Sequence, residues 1–413
     1  MTTSSVTIVG GGLVGLTSAL FLRERGVEVR ILDSGLLGSG AARGNAGFMC
    51  QALVAPLPAP GKIMATIKSL PDPTSALRLR PRAIPELAPW MWHFGKASTA
   101  ARFQSGRASL GRLNRSLPQV LDRLEALGIN VTLSPEVIVP FHSEKAAQHF
   151  FDDLKPMAEF GAKVPTEMLD GNQLRKLAPA LTDYLNVGMV MPADRAIDPR
   201  KYVDTLIEVL KVKGVEIHEH CVIEGFDTCQ DQVTKVRTSA GSFGADQVVL
   251  AAGAGSGLLG KHLGLTLHIV PGQGYNVALP TTPGLANPVI FEEAHAVATP
   301  LADRVRLGGT MEFAGHNPTF DARRVEAIIS SLRKFVTFDY DARYDTWAGS
   351  RPMSADGLPL LGRPKAWKNL IVASGHGMWG LTLAPATAEV VTELAVDGRT
   401  SADISAFNVD RFA

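Results

Sequence analysis

Cysteine is nearly absent. The 413 residues hold three, Cys50, Cys221 and Cys229, and no CxxC pair. They cannot build a disulfide framework, which suits a reducing compartment. His and Cys do not fall at ligand spacings, so no metal site is expected. Net charge is lacking too. Lys and Arg number 41 against 40 Asp and Glu, which leaves +1. So small a field argues against nucleic acid or a strongly acidic partner. No run of 18 apolar residues occurs, so no spanning helix is expected. Residues 6–22 are mostly apolar, but no Lys or Arg precedes them and three adjacent glycines interrupt them. That argues against a signal peptide. The profile leads us to expect a cytoplasmic protein that at most touches a membrane surface.

What the chain does have begins at residues 6–15, VTIVGGGLVG, followed by a helical run and by EVRILDSG at 28–35. The order is apolar strand, glycine turn, helix, second strand. Gly10, Gly12 and Gly15 fit the GxGxxG spacing of dinucleotide sites. Gly10 allows the tight turn, Gly12 lets the backbone approach a pyrophosphate, and Gly15 lets helix and strand pack closely. The phosphates sit best at the helix N-terminus, at Leu13 and Val14, where N–H groups are unpaired. Asp33, followed by Ser34, ends the second strand, where a carboxylate can take hydrogen bonds from a ribose.

A chain of this length is too long for one ordinary core, so two domains are expected. Residues 38–47, GSGAARGNAG, are small and include Ser39, Arg43, Asn45, Ala46 and Gly47. Such a stretch can lie close against a ligand, or it is a flexible loop. The proline-rich 52–63 reads as a stiff crossing segment. Residues 78–103 mix Arg78, Arg80 and Arg82 with Trp90, Trp92 and Phe94. They read either as a surface for lipid headgroups or a redox partner, or as a helix packed under its own substrate domain with the arginines in solvent; the second is preferred. Apolar spacing over 106–128 predicts a helix stopped by Gly128, and 144–161 a helix ended by Gly161. Residues 131–143 predict one or two strands. Asp198 and Pro199 predict a helix start, and 215–227, with Val222, a strand of the nucleotide domain. QVVLAAGAGS at 247–256, with Ala252 and Gly253, predicts a buried strand passing a ligand. Residues 271–279 and 304–315 read as strands of a mixed or antiparallel sheet, and 322–335 as an amphipathic helix. The last segment, 370–395, reads as strand, glycine turn and helix.

Several of these stretches together resemble the flavoprotein D-amino-acid oxidase family, and most closely its bacterial D-amino-acid dehydrogenase branch. They are VTIVGGGLVG, GNAGFMCQALVAPLPAPG, VVLAAGAGS, RVRLGGTMEFAG, WAGSRPMSADGLPLLG and SGHGMWGLTLAP, in order along nearly the whole chain. The resemblance implies a two-domain α/β flavoprotein. Its Rossmann-type FAD-binding domain would comprise 1–85, 186–265 and 346–413. A mixed-sheet α+β substrate domain would comprise 86–185 and 266–345. It implies FAD, held without a covalent link, so Cys50 is read as a structural thiol. The segment Phe48-Met49-Cys50-Gln51 departs from the dehydrogenase branch.

The same resemblance implies roles for single residues. Arg351 looks like the family's carboxylate-binding arginine, unless it pairs with a structural acid such as Asp356. Tyr275 resembles a tyrosine that adds a hydroxyl to the same carboxylate or shields the flavin; core or edge packing on its strand is the equal alternative. Backbone amides at His376, Met378 and Trp379 would face the flavin pyrimidine, with Gly375, Gly377 and Gly380 allowing close approach and Leu381 and Thr382 following. As a general base His376 is a weak candidate, since a neutral amine needs no strong base. The implied reaction is oxidation of a D-amino acid to its imino acid, with electrons passed to a quinone or another carrier. An oxidase of secondary amines such as sarcosine, glycine, D-proline or hydroxyproline, and a flavin-binding subunit without turnover, are the alternatives.

Overall fold

The computed structural model describes residues 5–61, 72, 75–129, 132–134, 136–192, 194–244 and 246–413. Residues 62 and 63 of the proline-rich stretch lie outside them. Among the described residues the opening motif folds as its pattern predicts. Strand Ser5–Val9 is followed by helix Leu13–Glu24 and strand Glu28–Leu32. The first strand is central in a six-stranded sheet. Its neighbours are Glu28–Leu32 and Gln247–Leu250, both parallel to it. Glu216–His218 extends one side; Leu370–Ser374 and then the antiparallel Leu360–Gly362 extend the other. These strands are short apolar runs because helices cover them, among them Leu13–Glu24 and the last long helix, Gly380–Val396.

The second layer is a nine-stranded mixed sheet built around the long strand Ile269–Leu279. That strand pairs antiparallel with Val305–Phe313 on one side and with Asp345–Ser354 on the other. Leu77–Leu79 joins the sheet beside Val305–Phe313. Helix Ala322–Leu332 packs Val325, Ile328, Ile329 and Leu332 against this sheet.

Several boundaries differ from the expected ones. The helix expected over 106–128 is two, Ala100–Leu113 and Leu117–Ala126, broken at Asn114–Ser116 and led into by Pro118. Their stripe from Leu110 to Leu124 shares one core with dinucleotide-sheet residues such as Ile8 and Val249 and with mixed-sheet residues such as Val139 and Met189. Val187–Met191 and Asp345–Ser354 belong to the mixed sheet, although both fall largely in segments expected to be dinucleotide domain. The strand expected over 215–227 is two strands, Glu216–His218 and Ile223–Cys229. His220, at a left-handed φ of 52°, lies between them, and they join different sheets. Of the preferred reading of 78–103 the packed helix is present, but two of its three arginines are not in solvent. Trp90 is buried with its Nε1 donating to Met353 O at 2.9 Å, and Phe94 stacks on it. Arg78 and Arg80 turn inward to Glu312 and Asp321. Trp92, 64% exposed, and Arg82 face out.

Candidate active site

A cavity of about 550 Å³ opens where the two sheets meet. Gly10, Gly12, Leu13, Val14, Asp33, Ser34, Ser39 and Asn45 line it, and so do Val222, Ala252, Gly253, Gly377, Met378, Gly380 and Leu381. Arg351 and His376 also reach it. Five expected residues stand behind the wall. Gly15 lies under the carbonyl of Gly10, so close that a side chain there would collide. Ala46 and Gly47 give their carbonyls to Thr299 and Ile197. Gly375, at φ 80°, packs on Leu360 and Ser354. Thr382 is buried, with its hydroxyl donating to Phe48 O.

The dinucleotide end has the features an anion needs. Helix Leu13–Glu24 has Gly12 as its N-cap, no capping side chain and no acid in its first turn. Its first N–H groups therefore remain available. Gly10 has φ 113°, and a Cβ there would strike Ala251. A Cβ on Gly12 would meet nothing within 4 Å, so that backbone borders open space. Asp33 is held in place by two amides: Gly11 N donates to Oδ2 at 2.6 Å and Gly35 N to Oδ1 at 2.8 Å. An ionised carboxylate has about four acceptor sites, so capacity for a hydroxyl remains.

At the other end stands Arg351, set on the mixed sheet between Ser350 and Pro352, which also line the cavity. Its guanidinium lies on Gly274, where any side chain would collide with it. Among the described residues it has no carboxylate or hydrogen-bond partner. Asp356, the structural alternative, is taken by Arg411 at 2.7 and 2.9 Å. Burial draws the Arg351 guanidinium down to about 10, so it stays cationic at neutral pH. A buried cation without a counterion is costly, and a ligand carboxylate would remove that cost.

Tyr275 is placed elsewhere than expected. It is 1% exposed, off the cavity wall, and its hydroxyl donates to Glu312 Oε2 at 3.0 Å. The cause is strand alternation. Gly274 shares a face with Arg351, so its neighbour Tyr275 must point to the opposite face. There Arg80 also grips Glu312, at 2.7 and 2.9 Å. His376 is buried, and its Nε2 lies 2.9 Å from Thr387 Oγ1. Burial lowers it to about 4, so the ring is neutral at physiological pH. That state does not suit an acid, and the bonded Nε2 does not suit a free base.

Some wall residues escaped sequence reading. Leu258 and Leu259 arrive on the short helix after AAGAG, and nothing in their spacing marks them. Gly11, Ser350 and Pro352 adjoin recognised motifs and could have been inferred by contiguity. Cys50 is fully buried beside Asp194, and burial raises its thiol well above the usual range. Such a thiol is a poor nucleophile, as a structural role requires. No group of metal-ligating side chains is found among the described residues, and no described helix is long and apolar enough to cross a membrane.

Comparison with known proteins bears on the same site. The profile of a family described as FAD dependent oxidoreductase matches residues 5–394. A D-amino acid dehydrogenase of Methylobacterium nodulans is 32% identical over 408 residues, covering 95% of this chain and 95% of that protein. One from Granulibacter bethesdensis is 29% identical over 421 residues, covering 99% of each. Among solved structures, glycine oxidase from Bacillus cereus superposes with a TM-score of 0.75 at 22% identity, over 99% of each chain. L-proline dehydrogenase from P. horikoshii also gives 0.75, at 20% identity, over 100% of this chain and 98% of that one. At these identities the structural likeness establishes the fold.

Proposed function

The chain belongs to the FAD-dependent oxidoreductase family, and from that footing we propose that it oxidises a D-amino acid to the imino acid, which water then hydrolyses to the 2-oxo acid and ammonia. The curated relatives named above are D-amino acid dehydrogenases, and the substrate class is carried over from them. Electrons then leave to a quinone or a similar carrier.

The residues present fit the cofactor. The uncapped helix start and the open space at Gly12 suit a pyrophosphate, and Asp33 a ribose. The small residues 38–42 and the turn at 376–381 leave room for a flat ring. When bound, FAD supplies the hydride acceptor. The protein's own part is to bind, orient and exclude water. Arg351 would take the substrate carboxylate in two parallel hydrogen bonds, which holds the acid group and sets the direction of the α C–H. The backbone at His376–Met378 offers fixed dipoles near the site of developing charge. His376 stays neutral and braces that turn through Thr387 rather than moving a proton.

The observation that carries this reading is the guanidinium of Arg351, largely withdrawn from water, without a counterion among the described residues and facing the cavity. The test is anaerobic reduction of the holoenzyme with a panel of D-amino acids, their L-enantiomers, D-proline, sarcosine and glycine, followed by reoxidation with quinone or oxygen. Bleaching by primary D-amino acids with faster reoxidation by quinone is expected. Reduction by secondary amines alone would move the substrate class. A flavin that no amine bleaches would make the chain a binding subunit.

A further inference from the structure

A strap that backs one wall of the cavity, and reaches it at Asn45, is gripped from outside by the mixed sheet. Gly44, Asn45, Ala46 and Gly47 are consecutive, and each carbonyl accepts a hydrogen bond from a distant part of the chain. Asn276 Nδ2 donates to Gly44 O at 2.9 Å, Arg306 Nη1 to Asn45 O at 2.7 Å, and Thr299 Oγ1 to Ala46 O at 2.6 Å. Ile197 N donates to Gly47 O at 2.8 Å. The three side chains come from three different strands of the mixed sheet, and all are buried.

This strap has little packing of its own. Three of its four residues are Gly or Ala, so its shape depends on what holds its backbone. Asn45 lines the cavity, and its Oδ1 turns back to accept from Gly47 N at 2.8 Å. Arg306 is the costly member. It is 4% exposed, and its direct partner is a carbonyl rather than a carboxylate. The nearest buried acid, Asp198, lies 3.7 Å from the neighbouring Arg304. Keeping such a cation inside is unfavourable unless its hydrogen bonds are well placed.

We propose that Asn276, Thr299 and Arg306 are positioning residues for the cofactor: by fixing the carbonyls of residues 44–46, the substrate sheet sets the shape of the wall that grips the flavin. The inference rests on reading the cavity as the FAD site. It gives the mixed sheet a second task, since the strands that carry the substrate arginine and its neighbours would also tune cofactor affinity.

The experiment titrates apoprotein with FAD, follows flavin fluorescence and records the bound spectrum. Arg306→Met should weaken FAD by at least about tenfold, since a charge-assisted hydrogen bond is lost. It should also shift the visible flavin bands. Arg306→Lys keeps a donor and should recover most of the affinity. Thr299→Val removes one hydroxyl, should weaken FAD by roughly fivefold, and carries the test if Arg306→Met does not fold. Leu332→Ala truncates the same sheet's core away from the strap, so it should lower Tm and leave affinity and spectrum alone. Wild-type affinity and spectrum in both Thr299→Val and Arg306→Met would overturn the proposal. So would a Leu332→Ala variant that loses FAD equally, because general loosening would then explain the effect. Wild-type apoprotein that takes up no FAD is a different result and brings down the cofactor reading itself.

Discussion

The two faces of strand Ile269–Leu279 treat charge in opposite ways. On one face Gly274 makes room for Arg351, a half-buried cation without a counterion among the described residues. On the other, Glu312 is fully buried and held by Arg80 and by the hydroxyl of Tyr275, with Arg78 at 3.8 Å. Asp321 joins that cluster, and Arg323 holds its carboxyl down to about 2. A charge neutralised within the fold serves the fold. A charge left open on a cavity wall is available to a ligand. The contrast leads us to propose Arg351 for the substrate and Tyr275 for structure, although they stand on paired strands, Arg351 opposite Gly272 and Tyr275 opposite Ala348.

Substitutions can break or sharpen that contrast. Arg351→Ala should cost roughly a thousandfold in kcat/KM, mostly in KM, with FAD content unchanged. Arg351→Lys should restore only part, because the planar fork is gone. Steady-state kinetics and anaerobic reduction read both, and a KM near wild type would discard the assignment. Glu312→Ala should act on stability instead, at about 3 kcal/mol by denaturant melting, because Arg80 loses its buried partner. Were it to raise KM as Arg351→Ala does while stability held, the two faces would not be distinct.

Smaller effects are expected beyond these. Tyr275→Phe should lose about 1–2 kcal/mol of stability and leave KM alone; a large rise in KM would return the hydroxyl to the substrate. His376→Asn should leave the pH dependence of kcat/KM unchanged. In the wild type the folded state holds His376 near 4, below its usual 6.5, so the unfolded chain binds the proton first on acidification. The stability tied to His376 is therefore whole above about pH 6.5 and falls as pH drops toward about 4. The Asn variant should show a flatter acid limb in thermal melts across that window, and an unchanged limb would count against burial as the cause.

Legibility followed distance along the chain. The strand, turn and helix of residues 5–24 could be read directly, since Gly10 and Gly15 serve contacts with near neighbours and an adjoining strand. Arg351 was readable only through resemblance, and its lack of a partner was not readable at all. The choice between substrate and packing for Tyr275 could not be made from sequence because face assignment needs strand register, which pairs residue 275 with 348. The partner of a helix face is illegible for a related reason. The stripe from Leu110 to Leu124 says that a helix buries one face but not against which sheet.

The sequence by itself determined the nucleotide-binding unit, the neutral overall charge and the small-residue stretches that a ligand can approach. These depend on local backbone freedom and on composition, which a linear reading contains. Only the tertiary structure decided which charges are neutralised and which strands hold the strap at 44–47. It also decided which side chain of each neighbouring pair faces the cavity. Those outcomes depend on burial and register between segments hundreds of residues apart, and desolvation acts on a group only once the fold has removed its water.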